Sequence, residues 1–277
     1  MKKKMALALA LVLALGLTGC GAKEEATEAA AETAVEGEAK TFTVGFDAEF
    51  PPYGYMDDNG EYVGFDLDLA QEVCNRRGWT LVKQPIDWDA KDMELSSGTI
   101  DCIWNGFTIN GREEDYTWSY PYVDNSQVFV VAADSGIATK ADLAGKVVGV
   151  QKDSSALAAL EDEENQENLD LAASFADLVQ YADYNTGFMD LEAGAIDALA
   201  IDVGVANYQL GERDGEYVIL EETLSSEQYA IGFLKGNEEL RDQVEETLSE
   251  MVEDGTFMEI AEKYSDFGLV DSVCLGK

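Results

Sequence analysis

The side chains that could do chemistry in this 277-residue chain are mostly carboxylates. It contains 56 aspartates and glutamates against 18 lysines and arginines, and no histidine. A catalytic imidazole and a histidine metal site are therefore excluded, and we predict no metal and no cofactor. Arginines beyond residue 40, the candidate anchors for a negatively charged group, are few: Arg76, Arg77, Arg112, Arg213 and Arg241.

A ten-residue segment occurs twice, at 93–102 and at 189–198. Met, Leu, Gly, Ile and Asp coincide at a constant offset of 96 positions. Two lobes built alike would produce such a repeat, and a chance match is the alternative. In each copy the pattern predicts a helix that ends at a glycine, followed by an apolar strand at 100–104 or 196–201.

The ends of these two strands are where we look for a site, because ligands of open α/β sheets lie beyond the carboxyl ends of the strands. Asn105 and Gly106 follow the first strand, and Asp202 follows the second. Gly106 and Asp202 thus hold corresponding positions in facing lobes. Asp202 could instead simply cap a helix at 203–210.

Other elements complete an α/β pattern in which strands and helices alternate. We predict a strand at 41–46, a helix at 66–77 with Asp66 as its N-cap and Gly78 as its stop, a strand at 146–150 feeding a helix that begins near Ser154, and an amphipathic helix at 237–253.

The first twenty residues predict export. Lys2, Lys3 and Lys4 precede an apolar run, which ends in Leu17-Thr18-Gly19-Cys20 and is too short to span a membrane. This ending resembles the lipobox of bacterial lipoproteins, so we predict a signal peptide at 1–19 and lipidation of Cys20. A plain secretory signal is the alternative. Residues 20–40 have too few apolar side chains to form a core and are predicted to be a disordered tether.

The remaining residues, 41–277, are numerous enough for two lobes and a cleft. Their acidic charge repels nucleic acid and anionic lipid, so a membrane link must come from the lipid anchor. Cys74, Cys102 and Cys274 lack C-x-x-C spacing. One disulfide with a thiol left over is possible, but we favour Cys74 and Cys102 as buried apolar residues.

Several motifs follow one another in a familiar order. They are Pro52-Tyr53-Gly54-Tyr55, Gly64-Phe65-Asp66-Leu67-Asp68-Leu69-Ala70, Gly106 to Arg112, Ser119-Tyr120-Pro121-Tyr122, Asp142-Leu143-Ala144-Gly145-Lys146, Ile196-Asp197-Ala198, Asp254-Gly255-Thr256 and Lys263-Tyr264. In this order they resemble the polar amino-acid class of bacterial extracellular solute-binding proteins, which feed ATP-driven importers. The resemblance covers residues 41 to 265.

This resemblance implies an α/β, two-lobed periplasmic-binding-protein-like fold with a two-crossing hinge. We place the crossings near 122–127 and 225–229. Lobe one is then 41–124 with 228–277, and lobe two is 125–227. The implied function is that of a lipid-anchored, monomeric receptor outside the cytoplasm, which binds a free amino acid in the cleft and passes it to the permease of an ABC importer.

The resemblance also assigns the two charged ends of the ligand. Arg112 stands where the family's arginine binds the ligand carboxylate, and Asp202 would bind the ammonium group. Arg112 could instead be a solvated partner of the acidic residues that follow it, Glu113, Glu114 or Asp115. Thr108 and the peptide groups of Asn105 and Gly106 would add bonds from lobe one, and Ser154 and Ser155, at a helix N-terminus, would add bonds from lobe two. Ser154 could also be an ordinary N-cap.

The ligand side chain would meet Phe50 and Trp88, whose flat faces can enclose an aliphatic or delocalised group. Asp47 would receive a polar or positive tip, and with Glu49 it favours a polar or cationic side chain. The alternatives are that Phe50 and Trp88 are core residues of a lobe and that Asp47 only forms a turn.

The sequence departs from the family pattern at two points. The stretch from Gly106 to Arg112 is one residue shorter than usual, which bears on how far Arg112 reaches. Asp153 stands where a glycine often precedes the serine or threonine. It adds a negative charge near the proposed carboxylate site, where Lys152 could offset it.

Two other functions fit the same cleft. A sensory receptor would report amino acids to a signalling partner without transporting them. An enzyme similar to the cyclohexadienyl dehydratases would use Asp202 or Asp47 as a general acid. Transport is favoured over sensing by the lipid anchor, and the lack of histidine or a metal motif speaks against the enzyme.

Overall fold

A computed structural model describes residues 39–211, 213 and 215–277. The predicted signal peptide, Cys20 and the tether up to residue 38 lie outside the described residues. The strands are β1 (Thr41–Phe46), β2 (Glu49–Phe50), β3 (Gly54–Met56), β4 (Tyr62–Val63), β5 (Thr80–Pro85), β6 (Cys102–Ile103), β7 (Thr117–Trp118), β8 (Val123–Ala132), β9 (Val147–Gln151), β10 (Asp177–Tyr181), β11 (Ala198–Asp202), β12 (Tyr217–Ile219), β13 (Ser225–Tyr229) and β14 (Gly232–Phe233). The α-helices are α1 (Phe65–Arg77), α2 (Lys91–Ser97), α3 (Ser155–Glu161), α4 (Gln166–Ser174), α5 (Tyr184–Glu192), α6 (Val203–Gly211), α7 (Glu238–Glu253), α8 (Thr256–Glu262) and α9 (Leu269–Ser272).

Two larger sheets form the frames of the two lobes. The first runs in the order β5-β1-β6-β14-β7, and the second in the order β10-β9-β11-β8-β12 with β13 also paired to β8. In each sheet one strand, β1 or β9, lies between two parallel neighbours. A small sheet, β2-β3-β4, accompanies the first lobe. The predicted two-lobed α/β fold is confirmed.

The chain crosses between the lobes on a pair of antiparallel strands. It enters the second sheet on β8 and returns on β13, with Tyr229 opposite Val123 and Ser225 opposite Gln127. Tyr229 also bridges to Thr108 of the first lobe. The predicted crossings, 122–127 and 225–229, overlap this strand pair, and the proposed lobe boundaries, 124/125 and 227/228, fall within it and stay a prediction.

The repeat seen in the sequence is also a structural repeat. Asp101 accepts a hydrogen bond from the Thr43 N–H at 2.7 Å, and Asp197 accepts one from the Val147 N–H at 2.8 Å. The backbone N–H of each aspartate also donates a hydrogen bond, of 2.8 Å, to the carbonyl oxygen of the same partner residue. The same side chain therefore ties the end of the repeated helix and turn to the first parallel strand of each lobe.

One predicted helix start is wrong. Helix α1 begins at Phe65, with Gly64 and not Asp66 as its N-cap, and it ends at Gly78 as predicted. Asp66 is fully buried and accepts hydrogen bonds from the Gly106 N–H at 2.6 Å and the Tyr122 hydroxyl at 2.8 Å. Burial raises the pKa of Asp66 to about 7. An aspartate in the first turn of a helix looks like a cap in the sequence, and only the tertiary contacts give it another role.

The other helix starts and the cysteines agree with the sequence analysis. Ser154 is the N-cap of α3 and accepts a hydrogen bond from the Leu157 N–H at 3.2 Å. Cys74 and Cys102 are buried free thiols, as predicted. Cys274 is a half-buried free thiol.

The close packing of Gly64, the N-cap of α1, against the backbone of Tyr53 can be tested. Gly64 has a φ of 137°, and a Cβ there would lie 2.2 Å from the Tyr53 carbonyl oxygen. We expect Gly64→Ala to lower the free energy of unfolding by about 3 kcal/mol or more, from backbone strain and overlap together. Gly60 is the control, since it has a φ of 81° and open space around it. Gly60→Ala should cost about 1 kcal/mol. Urea unfolding of both variants measures the difference, and equal losses would contradict this account of the packing.

Candidate functional site

The two lobes meet around a small cavity with a volume of about 10 Å³. Such a space holds about one water molecule. It is lined by Phe50, Trp88, Gly106, Thr108, Arg112, Gln151, Ser154, Ser155 and Asp202. Most of the predicted site residues are thus brought together. The other two predicted residues, Asp47 and Asn105, are buried but do not line this cavity.

Arg112 supplies the positive charge on the cavity wall. Its guanidinium group donates to the carbonyl oxygens of Thr108 and Asp153, each at 3.3 Å, and lies over the Phe107 ring. The Asp153 carbonyl belongs to the opposite lobe. The short turn before Arg112 therefore does not keep this side chain from reaching the cleft.

Asp202 supplies the negative charge, at the end of β11. Its carboxylate accepts hydrogen bonds from Asn125 at 2.9 Å, Gln127 at 2.6 Å, Tyr184 at 3.0 Å and the Tyr229 hydroxyl. Burial, and then the charge of nearby Glu227, raise the pKa of Asp202 to about 7. The hydrogen bonds of Asp202 thus reach β8, α5 and β13.

Asp47 has two roles at once. One of its oxygens accepts the Glu49 N–H at 2.8 Å, which is the predicted turn, and the other accepts the Gln151 side chain of the opposite lobe at 2.8 Å. The Asp47 N–H donates to the Asn105 side-chain oxygen at 2.7 Å, so Asn105 positions this loop. Burial raises the pKa of Asp47 to about 6.

The two predicted aromatic contacts are both packed and in the wall. Phe50 is 6% exposed, and its ring centre lies 5.6 Å from that of Tyr53 and 5.9 Å from that of Tyr184. Trp88 is half-buried, meets the Phe107 ring edge-on at 5.5 Å and donates its indole N–H to the Asp153 carbonyl at 3.2 Å. Phe50 and Trp88 thus pack against other aromatic residues of the protein and also line the cavity.

Asp153 ties the lobes together and corrects one expectation. It has a φ of 56°, and its carboxylate pairs with Lys91, whose side chain is 3% exposed. Lys152, which was expected to offset Asp153, pairs with Asp89 of the other lobe instead. The charge of Asp153 is therefore balanced from lobe one, next to Arg112.

An acidic groove opens beside the cavity. Its volume is about 640 Å³, and both lobes line it. The charged residues of this groove are Asp47, Glu49, Asp87, Asp89, Glu94, Lys152 and Asp183. This excess of carboxylates favours the approach of cationic groups.

Several polar residues of the site were missed by the sequence analysis. They are Lys91, Asn125, Gln127, Gln151, Tyr184, Glu227 and Tyr229. A signal existed for Tyr184, which lies 96 positions after Trp88 and so occupies the corresponding place in the other lobe. The others lie in strands or in a short helix, where a polar residue usually faces solvent.

The described part of the chain lacks a metal-binding cluster and a membrane-spanning helix. No three carboxylates or thiols within residues 39–211, 213 and 215–277 are grouped so that they could hold a metal ion. None of the helices in those same residues has the length and apolar character needed to cross a membrane.

Comparison with known proteins gives consistent matches. The model for bacterial extracellular solute-binding proteins, family 3, matches residues 42–268. The chain is 30% identical over 230 residues to the L-cystine-binding protein TcyJ of Escherichia coli K12, covering 82% of this chain and 83% of that protein. It is 30% identical over 276 residues to the histidine-binding periplasmic protein of Salmonella typhimurium LT2, covering 96% of this chain and 98% of that one.

A solved structure shares the fold. It is the substrate-binding protein of an ABC uptake transporter from Streptococcus pneumoniae with bound histidine. Its TM-score is 0.77 at 38% identity, and the match covers 81% of this chain and 92% of that chain.

The Lys91–Asp153 pair can be tested by a double-mutant cycle. Asp153→Asn keeps a residue that tolerates positive φ but removes the charge opposite the buried Lys91 ammonium group. We expect it to lower the free energy of unfolding by about 2 kcal/mol, and Lys91→Met in the same chain to restore most of that loss. Urea unfolding measures both.

Lys152→Met is the matched control, because it breaks the exposed pair with Asp89 and should have a smaller effect. Strictly additive losses from Asp153→Asn and Lys91→Met would show that the two side chains do not interact.

Proposed function

Because this chain belongs to the bacterial extracellular solute-binding proteins, family 3, we propose that it binds a free amino acid between its lobes and delivers it to an ABC importer. The observation that carries the proposal is that Arg112 and Asp202 line the same cavity. A guanidinium group and a carboxylate on the wall of one cavity match the two charged ends of an amino acid.

The energetic reason is that neither end of the ligand can be buried alone. Moving an unpaired carboxylate or ammonium group out of water costs several kcal/mol. Arg112 would donate two parallel charge-assisted bonds to the carboxylate, and the hydroxyls of Thr108 and Ser155 lie 3.3 Å from each other across the cleft at the same wall. Asp202 would accept the ammonium group from the other side.

Entry of the ligand requires the lobes to separate, since the cavity of about 10 Å³ is too small for any amino acid. We propose that the lobes part at the hinge strands β8 and β13, that the ligand binds first to one lobe, and that the other lobe closes over it. The permease would then recognise the closed form. No covalent bond is made or broken in this cycle.

The ligand class follows from the charges around the cavity. The acidic groove and the buried Asp47 favour a polar or cationic side chain. The relatives named for histidine, for cystine and for lysine, arginine and ornithine support the same class. Phe50 and Trp88 would hold the side chain between their rings.

The place of action rests on the N-terminal sequence. We propose that residues 1–19 are removed as a signal peptide and that lipidated Cys20 anchors the protein at the outer face of the cell membrane. Residues 20–40 would then act as the tether. This arrangement keeps a monomeric receptor close to its permease.

A melting-shift screen against the common amino acids and cystine tests the proposal. A ligand at a hundred times its dissociation constant should add about 2.7 kcal/mol to the free energy of unfolding and raise the melting temperature. Arg112→Ala and Asp202→Asn should each weaken binding by about 10- to 100-fold in calorimetry, because each leaves one charged end of the ligand unpaired.

Arg77→Ala serves as the matched control. It removes an arginine of the same lobe that pairs with Glu246 on the surface, and ligand affinity should not change. Full affinity in both Arg112→Ala and Asp202→Asn would refute the assignment of the two ends.

A further inference from the structure

A second carboxylate is buried next to Asp202 and is not explained by the binding scheme. Glu227 lies on the hinge strand β13 and is 6% exposed. Its Oε1 accepts the Asn125 amide at 2.7 Å and the Gln127 amide at 2.8 Å. The same two amide groups donate to Asp202 Oδ1. The two carboxylate oxygens therefore lie within two hydrogen-bond lengths of each other.

The hydrogen bonds that the described residues donate to this pair come from neutral groups: the amides of Asn125 and Gln127, the Ser155 hydroxyl and the phenols of Tyr184 and Tyr229. Gln127 Nε2 contacts the Ser155 hydroxyl at 2.8 Å, Asp202 at 2.6 Å and Glu227 at 2.8 Å. An amide nitrogen has two hydrogens for these three oxygens. The Ser155 hydroxyl donates to Glu227 Oε1 at 3.3 Å, so both hydrogens of the Gln127 amide remain for the two carboxylates. None of these neutral donors cancels a second negative charge on the pair.

Three tyrosines and a further aspartate are the titratable groups near the pair in the described part of the chain. Tyr184 of α5 and Tyr229 of β13 bond to Asp202, Tyr53 contacts Tyr229, and Asp66 of α1 lies beyond Tyr53. Burial raises the pKa of all three tyrosines well above the usual range, so they remain neutral donors. Arg112 lines the same cavity as Asp202. Two adjacent buried carboxylates do not both ionise without a cation between them.

We propose that Glu227 and Asp202 form a two-carboxylate site that shares one proton, and that the ammonium group of the bound amino acid replaces this proton. The proton leaves to solvent through the cleft, so the pair carries one net negative charge before binding and one after it, counting the ligand ammonium. Glu227 is a positioning residue, since it acts through the amides it shares with Asp202. The inference rests on the proposed function and adds a proton to its cycle.

The proposal fixes the direction of two pH effects. Ligand affinity should rise with pH, by at most about tenfold per unit for one released proton. The pair should contribute most to the stability of the folded chain without ligand at low pH, because burial, and then the charge of Glu227, raise the pKa of Asp202 to about 7, above its usual value of 3.8. That stabilisation is lost as pH rises from about 4 through 7.

The first test needs no ligand and uses the full chain. Its melting temperature is measured from pH 5 to 8 for the parent, Glu227→Gln and Glu259→Gln, the last being an exposed control with the same change of charge. Glu227→Gln should lose less melting temperature over this range than the parent, and Glu259→Gln should follow the parent. Glu227→Asp, which keeps a carboxylate, should restore the parent's pH dependence, as a purely structural role would not require.

The second test is calorimetry with L-arginine and L-histidine in buffers of different ionisation heat. The parent should release close to one proton per bound ligand, and Glu227→Gln should release less than half of that. If neither amino acid binds, the proposed function is wrong for these two ligands. The melting curves of the first test then decide by themselves whether Asp202 and Glu227 share a proton. Superimposable melting curves, or equal proton release, in the parent and Glu227→Gln would overturn the inference.

Discussion

A charge that leaves water must find a partner, and the cleft of this protein is arranged around that constraint. Asp202 on the second lobe is held by amides and phenols, which support a negative charge without cancelling it. Arg112 on the first lobe bonds to carbonyl groups, which likewise leave its positive charge uncancelled. Each lobe therefore presents one unbalanced charge to the cavity. A ligand with both charges balances the two walls at once, which is why binding and closure belong together.

The two lobes meet in a pattern that follows from the internal repeat. Asp47 and Gln151 bond to each other across the cleft. They are 104 positions apart in the chain, as are Thr43 and Val147, the strand residues bound by Asp101 and Asp197. Lys152 reaches Asp89, and Asn185, the repeat partner of Asp89, reaches Glu49. The strand-end loop of each lobe thus contacts the helix start of the other. Closure therefore uses the same kind of contact twice, once from each lobe.

The sequence predicted the frame of the molecule better than its polar interior. The strand at 41–46, the glycine stop of α1 and the cap at Ser154 follow from local periodicity and turn chemistry, which neighbouring residues determine. The role of Asp66 does not, because it depends on Gly106 and Tyr122, which are distant in the chain. Glu227 and Gln127 likewise meet only through the register of β8 and β13. Burial of a polar residue is a long-range property, and a local pattern does not contain it.

The aspartate at position 153 illustrates how the cleft tolerates variation. A carboxylate so close to the proposed site of the ligand carboxylate would repel it and compete for Arg112. Instead, the Asp153 side chain pairs with the buried Lys91, while only its backbone carbonyl meets Arg112 and Trp88. The positive charge of Lys91 cancels the negative charge of Asp153. This side of the cavity therefore keeps the charge of the Arg112 guanidinium group. The loop can therefore carry an aspartate in a left-handed conformation, provided that lobe one supplies the matching lysine.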